Sequence, residues 1–549
     1  MTDTYKRLLP VFETPARLEI YDIHDAAYDV QLSVTTLAGL INRGQPSVYL
    51  LSNNDAESLF NALLAHVPHE YVSTDSVDTL EAILKTYRDM VRGMIIYDPA
   101  MLDSVNVATT MAGLRDAIVV SPQRAAALQQ KPYQLPVVAD LRVYHWKNRL
   151  QAYRWAERNL LKEASKQVVA GLNPKIAGGL RSFLVATCAF VYWLNSLSIL
   201  PDPAAGWTSE RCLMKRILRA FQAGTPHLGW FVNEFGGVDL TSKAALYLLP
   251  SDYFYNLEVW SAVQPAKNGA SDQGRGEENT SEKDTGEGNQ GGREKDTGEG
   301  NQGGACPRPG DLVNGGRIAP KIYVSFTISD GDNLQYNQHR MYQLWQDAAR
   351  GVIPLGWTIA PVLIEAAPTL AAYYRNTATP YDELVAGASG AAYVWPSSWP
   401  AKQLSAFLQT TGTLMQRMDL RTIEVLDGVL SRLFPYRPWQ VEYAKSLRPF
   451  GVRGILANDS YRRGGWRVVA GVPVIKNLGL AKSVAHTLEL IKNNTPAHGQ
   501  SPTFLNIYIY AWSMTPTDIR KVMQELDGRY EVVTPGQLCA LIAHAQEQK

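Results

Sequence analysis

Four cysteines in 549 residues, Cys188, Cys212, Cys306 and Cys539, stand far apart and include no CxxC pair. That spacing excludes a zinc knuckle and a disulfide framework, and free thiols in a reducing compartment are expected. Neither sign of charge is in excess, since 53 Lys and Arg face 52 Asp and Glu for a net charge of +1. No basic footprint is present, so nucleic acid and anionic membranes are not expected partners. The nine histidines contain no HxxxH pair, which removes the ligand spacing that a metal-dependent deacetylase-type hydrolase needs. No cofactor or metal is called for. The N-terminus has no apolar stretch ahead of Pro10 and Glu13. No secretory signal is read there, so a cytoplasmic location is expected for the chain as given, and an extracellular one if the N-terminus is incomplete. One uncharged run, Ser182 to Leu200, has nearly the length of a membrane span. Asn195, Ser196 and Ser198 make its last third polar and Pro201 follows, which reads as a buried helix.

What the chain does have is length and aromatic content. Its 549 residues exceed one hydrophobic core and predict two or three domains. The 27 Tyr and 13 Trp suit sugar stacking and core packing equally. The first 250 residues repeat faintly. Ile20-Tyr21-Asp22 precedes Thr35-Thr36-Leu37-Ala38-Gly39-Leu40 and then Val48 to Ser52, while Ile96-Tyr97-Asp98 precedes Thr109-Thr110-Met111-Ala112-Gly113-Leu114 and then Ile118 to Ser121. A weaker third copy runs from Leu228–Val232 to Leu246–Pro250. Each copy reads as strand, helix and strand. Between the second and third copies, Tyr144–Ala170 and Ile176–Leu200 read as long helices. Glu282–Gly292 recurs unchanged at Glu294–Gly304 within a stretch with nothing apolar to bury, which reads as a solvated, disordered insertion. The expected organisation is therefore 1–263, 264–309 and 310–549. After Arg317, β runs at Ile322–Ser329, Leu355–Leu363, Ala391–Trp395, Thr422–Leu426, Gly454–Ala457, Val472–Ile475 and Phe504–Ala511 alternate with helical stretches. A short run, Tyr530–Val533, follows. Seven or eight such units match a (β/α) barrel, with an open doubly wound sheet as the other reading.

Ligands bind at the carboxyl ends of parallel strands. Those ends offer Asp330, Asp332 and Asn333, Glu365, Tyr393 and Trp395, Asp427, Asn458, Asp459 and Tyr461, Asn477, Tyr510 and Trp512. The set is acidic, amidic and aromatic, which suits a neutral polyhydroxylated ligand and disfavours phosphate. Asn and Asp after a strand also cap helices, and that reading stands beside function for Asp427, Asn458 and Asp459. Asp330 and Asp332 differ. Residues i and i+2 of a strand share a face, so their carboxyls can converge, and like charges so placed raise one pKa.

Gly387 to Pro396, with Tyr381–Leu384 before it and Ser329–Asn333 upstream, resembles the signature of the GxGYxYP family of glycoside hydrolases. Ala392 replaces the second Gly of that signature and Trp395 the second Tyr. The resemblance implies an α/β protein in which an N-terminal region of three divergent α/β repeats is followed by a C-terminal seven-stranded (β/α) barrel. It also implies an interdomain cleft and a poly- or oligosaccharide substrate. The family's catalytic carboxyls, a glutamate of the repeat region and the D-G-D aspartates, map onto Glu234, Asp330 and Asp332, with Glu258 the less favoured glutamate. Glu234 is the expected general acid and Asp330 or Asp332 the base. Asn333, Tyr393, Trp395, Asp427, Asn458 and Trp512 are expected substrate contacts. A non-catalytic carbohydrate-binding protein is the alternative, and a metal-dependent deacetylase-like hydrolase a more distant one.

Overall fold

A computed structural model describes residues 6–73, 78–266, 313–314, 317–428, 438–458, 465–496 and 501–548. The expected insertion lies outside the described residues from 267 onward, as do Asp459 and Tyr461.

The N-terminal region contains three small parallel sheets. Leu18–Asp22 lies between Val48–Leu51 and His69–Tyr71, and Gly93–Ile96 lies between Ala117–Val120 and Val137–Asp140. The third sheet has the order Tyr247–Leu249, Pro226–Gly229, Val169–Gly171, Phe190–Tyr192. Most of these strands are short, uninterrupted apolar runs buried on both faces, the mark of parallel strands covered by crossover helices. The repeated T-T-x-A-G-L motif has a structural cause. Thr36 on helix Tyr28–Ile41 accepts the Val119 amide of the second sheet at 3.1 Å, and Thr110 on helix Ser104–Arg115 accepts the Val191 amide of the third at 3.0 Å. Each helix thereby fastens its unit to the next. The glycine that follows lets the same helices reach the backbone of Arg181–Ala186 (a Cβ at Gly39 would stand 2.4 Å from the Ser182 carbonyl, one at Gly113 2.8 Å from that of Val185).

The two long helices expected between the second and third copies are not there. Tyr144–Ala170 contains one helix, Arg149–Asn159, and the start of strand Val169–Gly171. In Ile176–Leu200 the helix stops at Ala186, Cys188 turns at φ 51°, and Phe190–Tyr192 becomes a strand of the third sheet. An apolar run buried on all sides carries no period to tell helix from strand. Among the described residues no helix is long and apolar enough to cross a membrane.

The C-terminal region is a closed barrel of seven parallel strands: β1 (Ile322–Ile328), β2 (Leu355–Ile359), β3 (Asp382–Ala386), β4 (Thr422–Leu426), β5 (Gly454–Asn458), β6 (Val472–Ala481) and β7 (Thr503–Ile509), with β7 pairing back to β1. The short strand Tyr530–Val532 wedges beside Ile322–Val324, below the point where β2 joins β1 at Thr327 and Ile328. One strand expectation is corrected. β3 is Asp382–Ala386, and Ala391–Trp395 is a loop, because Ser389 and Gly390 take φ of 71° and 116° and turn the chain out of the sheet. Alternate residues face in and out. Ile423 and Val425 of β4 pack in the outer core, whereas Tyr323, Val385, Leu456, Ile475 and Tyr508 form an inner cluster. The C-terminal helix Pro535–Glu547 joins that inner cluster through Leu538, Cys539, Leu541 and Ile542 and closes the barrel at its strand N-termini. The strand C-termini face the third α/β unit. There the Tyr393 amide donates to the Leu248 carbonyl at 2.9 Å, the Leu334 amide to that of Pro250 at 2.8 Å, and the Trp395 amide to Ser242 Oγ at 2.9 Å.

Candidate active site

Where β1 leaves the barrel, Ser329-Asp330-Gly331-Asp332 runs over the end of β2. The Gly331 amide donates to Thr358 Oγ1 at 2.8 Å. A side chain at Gly331 would meet the Thr358 carbonyl carbon at 2.0 Å, and one at Gly387 the Asp332 amide at 2.6 Å. Glycine at both positions lets three backbones touch, which fixes where the flanking carboxyls point. Asp330 sits at φ 79°, a left-handed conformation that Asp tolerates better than most residues. Its Oδ2 accepts a hydrogen bond from Trp512 Nε1, and Trp512 stands edge-on to Tyr336 at 6.2 Å.

Glu234 comes from the opposite wall. It opens helix Glu234–Lys243, whose cap Asn233 accepts the Gly236 amide at 2.9 Å. The Tyr393 hydroxyl, from the loop after β3, donates to Glu234 Oε1 at 3.0 Å, so a hydrogen bond spans the seam between the two regions. Glu234 is open to solvent on one side and crowded by protein on the others. The crowding raises its carboxyl above the usual range and repulsion from Asp330 adds to that, while the Tyr393 hydroxyl opposes both. Burial also raises Asp330, against the Trp512 donor. Asp332 is pushed up furthest of the three, by burial and then by the charges of Asp330 and Glu234. Carboxyls that repel one another in a crowded site cannot all ionise near neutrality, which supplies a proton donor and a proton acceptor side by side.

The structure therefore brings Glu234, Asp330, Asp332, Tyr393 and Trp512 together. It does not offer Tyr393 and Trp395 as open stacking faces. They are 7% and 8% exposed, wedged against Trp230 at 6.2 Å and Phe235 at 6.1 Å. Exposed rings next to these carboxyls are Phe235 at 55% and Trp512 at 46%, and Phe235 escaped the sequence reading because it lies on helix Glu234–Lys243 and not at a strand end. Asn333 caps helix Leu334–Gln338 by accepting the Tyr336 amide at 3.3 Å. Asp427 accepts the amide and hydroxyl of Ser397 at 3.1 and 2.5 Å, tying the signature loop to β4. Asn458 takes the Asn477 amide at 3.5 Å. Capping and fastening thus occupy these three polar groups. Glu365 is buried and accepts the Leu8 and Leu9 amides at 2.9 and 3.3 Å, and Glu258 is buried against Asn42 at 3.0 Å. His339 contacts the Tyr253 carbonyl at 3.2 Å, away from the aspartates. Among the described residues, no group of three or more His, Cys, Asp or Glu is arranged to hold a metal ion.

A cavity of about 720 Å³ opens elsewhere, beside Arg421, Arg448, Arg453 and Cys539. It lies at the strand N-termini, the end of such barrels that carries stability rather than chemistry.

Comparison with known proteins agrees with this architecture. Residues 320–543 match the model described as "GxGYxYP putative glycoside hydrolase C-terminal domain". Residues 91–164 match the second N-terminal domain of the same family and 153–262 its third. No curated protein matches. Among solved structures, the chain is similar to a putative hydrolase from Bacteroides thetaiotaomicron, with 20% identity, a TM-score of 0.75 and coverage of 97% of this chain and 96% of that one. At that identity the likeness speaks for the fold alone. The three family matches together extend over most of the sequence, and the chain belongs to the GxGYxYP family of putative glycoside hydrolases.

Proposed function

We propose that the protein hydrolyses a glycosidic bond of a poly- or oligosaccharide in the seam between the third α/β unit and the barrel mouth. The observation that carries this reading is the Tyr393–Glu234 hydrogen bond, which holds a solvent-accessible carboxyl of one region opposite the aspartates of the other. Glu234, raised by crowding, is the general acid that protonates the leaving oxygen. Asp330 is the base that takes a proton from the attacking water, because the Trp512 N–H favours its ionised form. Asp332, raised further, holds a proton and orients the water. Two carboxyls in opposite protonation states flanking the bond are what glycoside hydrolysis requires. Phe235 and Trp512 supply the open rings for sugar stacking.

The test is turnover on a panel of glycans by the wild type, Glu234→Gln and Asp330→Asn. Hydrolysis by the wild type and its loss in both variants supports the assignment. Binding without hydrolysis by the wild type makes the protein a carbohydrate-binding one instead.

The two hydrogen bonds to the carboxyls give opposite, separable pH signatures. Tyr393→Phe removes a donor that favours ionised Glu234, so Glu234 stays protonated to higher pH and the basic limb of the kcat/KM profile moves up. Trp512→Phe keeps an aromatic ring but removes the donor to Asp330, whose carboxyl then ionises at higher pH, so the acidic limb moves up while KM changes little. A pH–rate profile of each variant checks both; a shift of the other limb in either would reverse the acid and base roles.

A further inference from the structure

We propose that an open cavity beside Trp146 and Trp155, in the N-terminal region, is a second glycan-binding site and takes a uronate-bearing sugar. Its lining shares no residue with the catalytic seam, and binding there does not depend on hydrolysis.

Helix Arg149–Asn159 presents two faces. Leu150, Ala152, Tyr153 and Ala156 are buried and join the core. Gln151, Arg154, Trp155, Arg158 and Asn159 stand at i, i+3, i+4, i+7 and i+8 and, with Trp146, line a cavity of about 470 Å³. A stripe of that spacing is ordinarily apolar and covered by a neighbouring element. Here it is aromatic and polar, and the small residues Ala204, Ala205 and Gly206 complete the lining and leave space open. The volume lies within the roughly 300–1,000 Å³ of small-ligand sites. The rings are fixed in advance. Tyr144 stacks on Trp146 at 4.9 Å and 6°, and Trp155 stands 5.6 Å from Trp146 at 55°. Rings that brace one another lose little freedom when a ligand arrives, and a flat indole suits the C–H face of a sugar. Trp207, which follows Gly206, is 75% exposed and offers one more ring.

The charge is one-sided. The lining holds two guanidiniums, those of Arg154 and Arg158, and no carboxyl. Arg154 is engaged by Glu157, which also accepts Arg216 Nε at 2.8 Å. Asp202, which caps the turn, is held by Asn148 Nδ2 at 3.0 Å and the Ala204 amide at 2.8 Å. Arg158 is exposed and, among the described residues, enters no hydrogen bond or ion pair. The turn lies against it, since a Cβ at Gly206 would stand 3.6 Å from Arg158 Nη2. Asn159 donates its Nδ2 to the Trp155 carbonyl at 2.7 Å and keeps its side-chain oxygen for a hydroxyl. A guanidinium fork matches a planar carboxylate. A bare anion would leave the rings unused and a neutral sugar the guanidinium; a uronate uses both.

The deciding experiment is calorimetric titration of wild type, Arg158→Gln, Trp146→Ala and Ala204→Trp. The probes are tetramers of galacturonate, mannuronate and glucuronate, their methyl esters, and a polyglutamate peptide. Arg158 and Ala204 are exposed, so their variants report even if Trp146→Ala fails to fold, and thermal melts check all four. At least one uronate tetramer should bind the wild type about tenfold more tightly than its ester, as one charge-assisted pair supplies. Arg158→Gln should abolish that preference and leave binding of the ester unchanged. Trp146→Ala removes a ring and Ala204→Trp fills the cavity, so both should weaken acid and ester alike. Equal affinity for acid and ester, no binding of any tetramer, or the same tetramer affinity in all four proteins would overturn the proposal. Polyglutamate bound as tightly as the tetramer would overturn it too, in favour of an acidic peptide. Turnover is read separately on a short neutral glycan, which the three variants should cleave as the wild type does. A wild type without turnover would remove the hydrolase reading and leave the binding result standing.

Discussion

Asp330→Asn lowers kcat on any glycan the wild type cleaves by roughly a thousandfold, within the range that general acid–base groups contribute, and leaves KM nearly unchanged. Asparagine has the shape of aspartate and accepts the left-handed φ of 79° about as readily. The backbone at the mouth therefore survives, and only the ability to take a proton is removed. Glu234→Gln falls by a similar factor on natural glycans, but the two losses separate when the leaving group is changed. A glycoside with an acidic aryl leaving group departs without protonation, so it restores much of the activity of Glu234→Gln and little of that of Asp330→Asn. Rescue of Asp330→Asn instead would exchange the roles of acid and base. Equal rescue of both would mean that neither carboxyl has a distinct task.

The aspartates were legible in the sequence because an uninterrupted β run, Ile322 to Ile328, can only be a strand buried on both faces, and its exit residues must then lie at the mouth. Six of the seven barrel strands could be read from β runs, and β3 could not, because D-E-L-V-A opens with two acids. Ala391–Trp395 was misplaced because A-A-Y-V-W has the composition of a strand, while the turn that takes it out of the sheet depends on φ at Ser389 and Gly390, which composition does not record. Tyr393 of that loop, which bonds Glu234, was still found, through the signature rather than through the strand. Its burial was not foreseen, since what covers it is Trp230 of a unit more than 150 residues earlier. The burial of Glu424 on β4 was hidden for a related reason: in T-I-E-V-L a glutamate between Ile and Val reads as the solvent face of a half-buried strand, and only closure of the barrel turns that face inward. Glu234 lay between these cases: an acid after an apolar-aromatic strand is suggestive, and its partner across the seam is visible only in three dimensions.

Gly331→Ala destabilises the protein by about 3 kcal/mol, the upper end of ordinary overpacking, and abolishes turnover. The added Cβ would lie 2.0 Å from the Thr358 carbonyl carbon, 2.1 Å from its oxygen and 2.3 Å from the Ile359 amide nitrogen. All three atoms belong to the backbone of β2, so no side-chain rotation relieves the clash. The D-G-D segment must lift off the strand, which breaks the 2.8 Å hydrogen bond from Gly331 to Thr358. Nor can it lift freely, because the backbone at Gly387 lies against Gly331 and Asp332. Alanine does stiffen the unfolded chain, but that gain is only about 0.4–1 kcal/mol where the native conformation suits it, too little to offset the clash. Asp330 and Asp332 flank the displaced residue, so the site is lost together with stability. Gly528→Ala is the control: a Cβ there meets nothing within 4 Å, and that variant should melt at or slightly above the wild-type temperature. Thermal melts of the two variants, with turnover measured well below either transition, check the argument. A Gly331→Ala protein that melts with the wild type and keeps its activity would show that the three backbones are not in contact, and that the aspartates do not owe their position to the glycine between them.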